Sequence, residues 1–236
     1  MTSIVSVPLR SAALLAAAAV LATALPAAAE KAVTQTRETQ AALTPADARA
    51  LLVAGNERFA SGKMLERDYA AQVKATAAGQ FPFAVVLGCI DSRVAPEIVF
   101  DQGVGDIFAP RIAGNFVNTD ILGSMEFATA VAGARLIVVL GHTSCGAVQG
   151  ACDGAELGNL TQTLSNISPA VYATETSGER SSKNQAFVEA VARKNVELTV
   201  QNILDRSAVL RELVDAGKLQ VVGAMHDVAT GKVEFL

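Results

Sequence analysis

Two short apolar runs constrain this chain more than any other feature. Phe83 to Leu87 leads into Gly88, Cys89, Ile90, Asp91, Ser92 and Arg93; Leu136 to Leu140 leads into Gly141, His142, Thr143, Ser144, Cys145 and Gly146. Val- and Ile-containing runs of this length, closed by Gly, read as strands buried on both faces. Such strands belong to parallel sheets covered by helices, and ligands in those folds sit beyond the carboxyl ends of the strands. Both runs therefore deliver their polar residues to one rim. Cys89, His142 and Cys145 converge there as two thiolates and one imidazole. Three protein ligands with a fourth position left open is the catalytic zinc pattern.

The remaining chain alternates strands with helices. Thr44, Pro45 and Asp47 form a helix start, with Ala48, Leu51, Leu52 and Phe59 on one side and an end near Ser61 and Gly62. A second helix is expected over 66–78. A short, partly helical stretch covers 94–100, and Ser92 is expected to cap it. A second strand is expected over 106–110. A helix follows over 120–132, packed through Ile121, Leu122, Met125, Phe127 and Ala128 and stopped by Gly133. Further helices are expected at 146–152, 160–173, 184–204 and 207–216, with strands at 219–224 and near Phe235. In 184–204, Val188, Ala192, Val196, Val200 and Ile203 recur at helical spacing and mark a buried face. This order gives an α/β fold: a mainly parallel β-sheet of four strands plus an edge strand, flanked by helices.

At 236 residues the chain holds one sizeable α/β domain, expected over 44–236. Residues 30–43 read as a linker or a loosely docked helix. Residues 1–29 read as a Sec-type signal peptide: Arg10, an uncharged run from Ser11 to Leu25, then Pro26 and Ala27 to Ala29. That run is short for a membrane span, so no stable insertion is expected after cleavage. No Cys follows it and no Arg pair precedes it, which argues against a lipoprotein and twin-Arg export. The expected location is periplasmic or secreted. The formal charge is −4, with no Lys/Arg run, which argues against nucleic acid as a partner.

Three cysteines in an exported chain raise the rival of a disulfide, Cys89 to Cys145 or Cys145 to Cys152. That pairing leaves His142 and Asp91 without a purpose, whereas zinc holds Cys89 and Cys145 as thiolates. A zinc with two thiolates is a weaker Lewis acid than one held by three histidines. Asp91 is the expected helper: an ionised carboxylate accepts a hydrogen bond from hydroxide and cannot donate one. Arg93 is expected to keep it ionised through a bidentate pair. Cys152 is expected to be a buried core thiol, and His226 a solvated surface residue.

Cys89, Asp91, Ser92 and Arg93 after one strand, with His142, Cys145 and Gly146 after a later one, resemble the β-class carbonic anhydrases. The resemblance extends to Asn56 and Phe59 upstream and to Arg111, Gly114 and Asn115 between the motifs. It implies one Zn²⁺ per subunit, reversible hydration of carbon dioxide to bicarbonate by zinc-bound hydroxide, and a homodimer or larger homo-oligomer. It also implies that Asp91 can swing onto the metal in a closed form, and that Gly114 and Asn115 border the substrate pocket. Gly146 is expected in the same pocket, permitting close packing behind the metal. Carbonyl sulfide or carbon disulfide hydrolysis on the same scaffold remains open, as do a non-catalytic zinc protein with Asp91 as permanent ligand and a redox protein.

Overall fold

A computed structural model describes residues 1–2 and 32–236. The expected signal peptide therefore lies almost wholly outside the described residues. Among the described residues, no helix is long and apolar enough to cross a membrane.

The sheet contains β1 (Ala84–Leu87), β2 (Ile107–Phe108), β3 (Leu136–His142), β4 (Gln220–His226) and β5 (Val233–Phe235). Their spatial order is β2-β1-β3-β4-β5. The first four run parallel, and β5 returns antiparallel to β4. β3 lies at the centre with every residue buried. Alternate side chains of β1 and β3 supply two separate cores, as the two-residue strand period requires. Val85, Leu87, Ile137 and Val139 enter one; Ala84, Val86, Leu136, Val138 and Leu140 enter the other.

The helices are α1 (Arg37–Ala42), α2 (Pro45–Ala60), α3 (Tyr69–Thr76), α4 (Pro96–Val99), α5 (Thr119–Glu126), α6 (Gly146–Cys152), α7 (Gly158–Ser165), α8 (Ser168–Ala173), α9 (Gln185–Arg206) and α10 (Ala208–Asp215). α9 packs in the core shared by Ile137 and Val139, and Leu52 of α2 in the other. Residues 30–43 contain α1, and its Gln40 is buried, donating to the carbonyls of Pro82 (2.7 Å) and Ala132 (2.8 Å).

Several local expectations are corrected. The stretch 160–173 splits into α7 and α8. Pro169 enters in the first turn of α8, where a missing N–H is tolerated; inside a continuous helix its ring would meet the carbonyl four residues back. The helix expected over 66–78 starts later, because the Asp68 side chain caps it by accepting from the Ala71 amide. Leu51 and Phe127 face outward rather than into the core. Phe127 opens a π-helical extension of α5 (Phe127–Val131), whose wider turn breaks the expected 3.6-residue stripe. Val200 is half-buried, while Val188, Ala192, Val196 and Ile203 are buried. Ala95, not Ser92, precedes α4, and it makes no side-chain cap bond. His226 is not a surface residue: β4 continues through it, and it is 2% exposed.

The segment after α4 is fixed by a buried ion cluster. Asp101 is fully buried at φ 47° and accepts from Arg58 Nε at 2.5 Å, from Arg67, and from the Leu65 amide. Two guanidiniums and an amide satisfy a carboxylate that would otherwise be costly to bury.

Candidate active site

The β1 turn begins at Gly88, whose amide donates to Pro110 O and whose carbonyl accepts from the Ile112 amide, carrying the pairing beyond β2. Arg111 then clamps the turn: its Nε donates to Cys89 O at 2.8 Å and its Nη2 to Asp91 O at 2.6 Å. Asp91 Oδ1 accepts from the Arg93 amide (3.0 Å) and Nε (2.9 Å), and Oδ2 accepts from Arg93 Nη2 at 2.7 Å. These side-chain bonds from Arg93 hold the Asp91 carboxyl well below the usual carboxylate range, against the opposing effect of burial. Asp91 in turn pushes the Arg93 guanidinium up.

The second turn belongs to β3 itself, because His142 is the last residue of that strand and not the first after it. Its Nδ1–H donates to Thr143 O at 2.9 Å, which fixes the tautomer and leaves Nε2 as the free lone pair. That Nε2 is buried without a partner. Ser144 adopts φ 53°, and Cys145 caps α6.

The ligand atoms of Cys89, His142 and Cys145 lie within 4.8 Å of one another, and all three residues are buried. The two sulfurs are 4.0 Å apart. Thiolates about 2.3 Å from a shared tetrahedral ion stand about 3.8 Å from each other, so this pair fits zinc. The orphaned His142 Nε2 gives the fit an independent support. The contact with the Cys145 sulfur lowers the Cys89 pKa to about 4 against burial, with help from the His142 side chain and the Gly114 amide. The same bond, with burial, pushes Cys145 up. All three cysteines are free thiols, Cys152 among them, and burial raises the Cys152 pKa.

Gly114 sits at φ 81° and its amide donates to Cys89 Sγ at 3.4 Å. A Cβ there would lie 2.3 Å from Ile167 Cδ1, so the turn also depends on the missing side chain. Asn115 follows at φ 43° and is buried. Gly146 differs from expectation. A Cβ on it would meet nothing within 4 Å, so it does not permit close packing. It borders a cavity of about 290 Å³ beside Cys89 and Asp91, walled by Ile90, Ala147, Leu160 and Leu164. Gly114 and Asn115 do not line that cavity; Ala113 does.

Sequence reasoning assigned no role to Arg111, and it missed Glu189, Asn195 and the wall from α7. Arg111 lies in the stretch Arg111 to Asn115 that carries part of the family resemblance, but its bonds to Cys89 and Asp91 cross 22 and 20 positions. His226 stands directly opposite His142 in the β3–β4 register, and its Nδ1 is buried without a partner. Burial is the first cause lowering its pKa, which favours the neutral imidazole.

The family profile described as "Carbonic anhydrase" matches residues 84–233. Carbonic anhydrase 2 of Mycobacterium tuberculosis strain H37Rv is 38% identical over 194 residues, covering 80% of this chain and 91% of that protein. The carbonic anhydrase of Mycolicibacterium smegmatis is 37% identical over 187 residues, covering 77% and 88%. A solved structure among the tetrameric β-carbonic anhydrases of Sordaria macrospora superposes with a TM-score of 0.59 at 26% identity, covering 71% of this chain and 90% of that one.

Proposed function

The chain belongs to the β-class carbonic anhydrase family, and from that premise we propose that it hydrates carbon dioxide reversibly to bicarbonate and a proton. One observation carries the site assignment: two buried sulfurs and one orphaned imidazole nitrogen within 4.8 Å, beside an ionised carboxylate. Cys89, His142 and Cys145 would hold one zinc ion per subunit. Zinc, when bound, supplies the Lewis acidity that makes water a usable nucleophile near neutral pH.

Asp91 and Arg93 do the catalytic work of the protein itself. Asp91 is acceptor-only while ionised, so it takes an O–H from the attacking water and orients its lone pair toward the substrate carbon. Arg93 keeps that carboxylate charged and holds both of its oxygens. The cavity beside them is walled mostly by aliphatic side chains and glycine. Such a chamber suits a small uncharged substrate and offers an anionic product no cation within its walls.

A closed form, with Asp91 as a fourth metal ligand, requires its release from Arg93. The paired arrangement supports the open form as the catalytic one. The relatives, both carbonic anhydrases by name, favour carbon dioxide over carbonyl sulfide or carbon disulfide as substrate. The run from Ser11 to Leu25 behind Arg10 supports export with cleavage after Ala29. Amino-terminal sequencing of the periplasmic or secreted protein tests it; an intact Met1 would refute it. A groove of about 630 Å³, lined by Phe108, Pro110, Thr119, Gly123 and the exposed Phe127, supports a homodimer or larger assembly. Light scattering that gives a monomer would refute that reading.

Stopped-flow carbon dioxide hydration on the zinc-loaded protein tests the activity. Fast turnover that rises with pH is expected. Full zinc loading without turnover at any pH would overturn the assignment and favour a structural metal.

A further inference from the structure

We propose that α9 is the positioning element of the metal centre, acting through Glu189 on the turn between His142 and Cys145 and through Asn195 on the loop that supports Cys89. The proposal deepens the zinc reading above and rests on it. Ser144 lies between two of the three ligands and holds a left-handed φ of 53°. That conformation is unfavourable for a non-Gly residue and persists only where its surroundings impose it. Glu189 Oε1 supplies the imposition, accepting the Ser144 amide at 2.9 Å. Gln185, one turn earlier on α9, donates its Nε2 to the same oxygen and presets the carboxylate. Rotation of the Ser144 peptide would re-aim Cys145, so this bond bears on the direction of one thiolate.

Asn195 acts on the other side. It is 3% exposed, and its Nδ2 donates to Gly114 O at 2.8 Å. Gly114 spends its own amide on Cys89 Sγ at 3.4 Å. Asn195 therefore fixes the carbonyl of the residue whose N–H reaches the second thiolate. The two side chains are separated by about 9 Å of helix rise. α9 runs for 22 residues and packs into the core shared with β3, so it sets both loops from one rigid body. Neither residue touches the cavity beside Asp91, which makes them positioning residues and not catalytic ones.

The test loads metal-free protein with zinc or cobalt(II) and compares wild type with Glu189→Ala, Glu189→Gln and Asn195→Ala. Zinc release to a chelator should accelerate at least about tenfold in Glu189→Ala, the usual scale for losing a group that orients a ligand. The cobalt–thiolate absorption band should shift with it, while melting of the metal-free protein stays near wild type. Glu189→Gln keeps an oxygen acceptor and should restore release to within about threefold of wild type. Asn195→Ala should shift the same band. Wild-type release and an unshifted band in both alanine variants would overturn the proposal, as would failure of Gln to rescue. A wild-type protein that takes up neither metal would overturn the zinc reading itself, a distinct result.

Discussion

The two turns that build the site reach the same rim of the sheet with opposite exposure. The β3 turn is buried at His142 and Cys145, half-buried at Thr143 and Ser144, and densely hydrogen-bonded. Thr143 donates its amide to His226 O, and its Oγ1 accepts from the Val228 amide; Thr143 O accepts from His142, and Ser144 N–H is taken by Glu189. The β1 turn buries Cys89 at 3% exposure but leaves Ile90 at 62%. Its reactive pair is partly open too, with side-chain exposure of 17% for Asp91 and 51% for Arg93. Arg93 Nη2 lies 3.4 Å from Ser144 O, a marginal bond between the turns. A division of labour follows. The β3 turn would supply two of the three candidate metal ligands, and the more open β1 turn the third together with the carboxylate that faces the cavity.

The largest expected effect breaks the closed turn. Cys145→Ser should lose zinc and thermal stability together, because ligand binding energy is also folding energy. A full metal complement in that variant would contradict the ligand set. Asp91→Asn in the open turn should keep zinc yet lose about 100-fold or more in turnover, since an amide no longer selects an acceptor-only geometry. Undiminished turnover would remove Asp91 from the mechanism.

Arg93→Leu sharpens the comparison further. The Asp91 pKa is depressed in the folded protein, so its pair with Arg93 is present above the ordinary carboxylate pKa of about 4. It is lost only as the pH falls through the depressed value. Without Arg93 that value moves up. Turnover should drop about tenfold near neutrality and fall off at a higher pH on the acid side. An acid limb identical to wild type would sink the assigned role of Arg93. Thr143→Val is the smallest change. It removes the acceptor for the Val228 amide and should cost about 1 kcal/mol of stability, with turnover within about twofold of wild type. A large catalytic loss there would show that the closed turn has less rigidity than its bonds indicate.

Legibility in the sequence followed the same division. Cys89, His142 and Cys145 stood out because each follows an apolar run and a Gly, and the structure brings their ligand atoms together. Asp91 and Arg93 were readable because their pairing spans two positions. His226 was misplaced because a single His after an apolar run carries no periodic signal. It is buried by pairing with β3 on one side and β5 on the other, both remote in the chain. Gly146 was misread because a glycine near a metal motif is equally consistent with close packing and with an open chamber.

The sequence by itself determined the strand order along the chain, the helix starts at Thr44 and Asn184, and the choice of Cys89, His142 and Cys145 as the candidate metal ligands. Those depend on period, cap chemistry and spacing, which act within a few residues. Only the tertiary structure decided that Phe127 faces out and that Leu160 and Leu164 wall the cavity. It alone showed Glu189 and Arg111 holding the two turns, across 45 and about 20 positions, and Asn195 holding Gly114 beside Cys89, across 81. A hydrogen bond between such distant residues leaves no local pattern, because the partner is chosen by packing and not by neighbouring sequence.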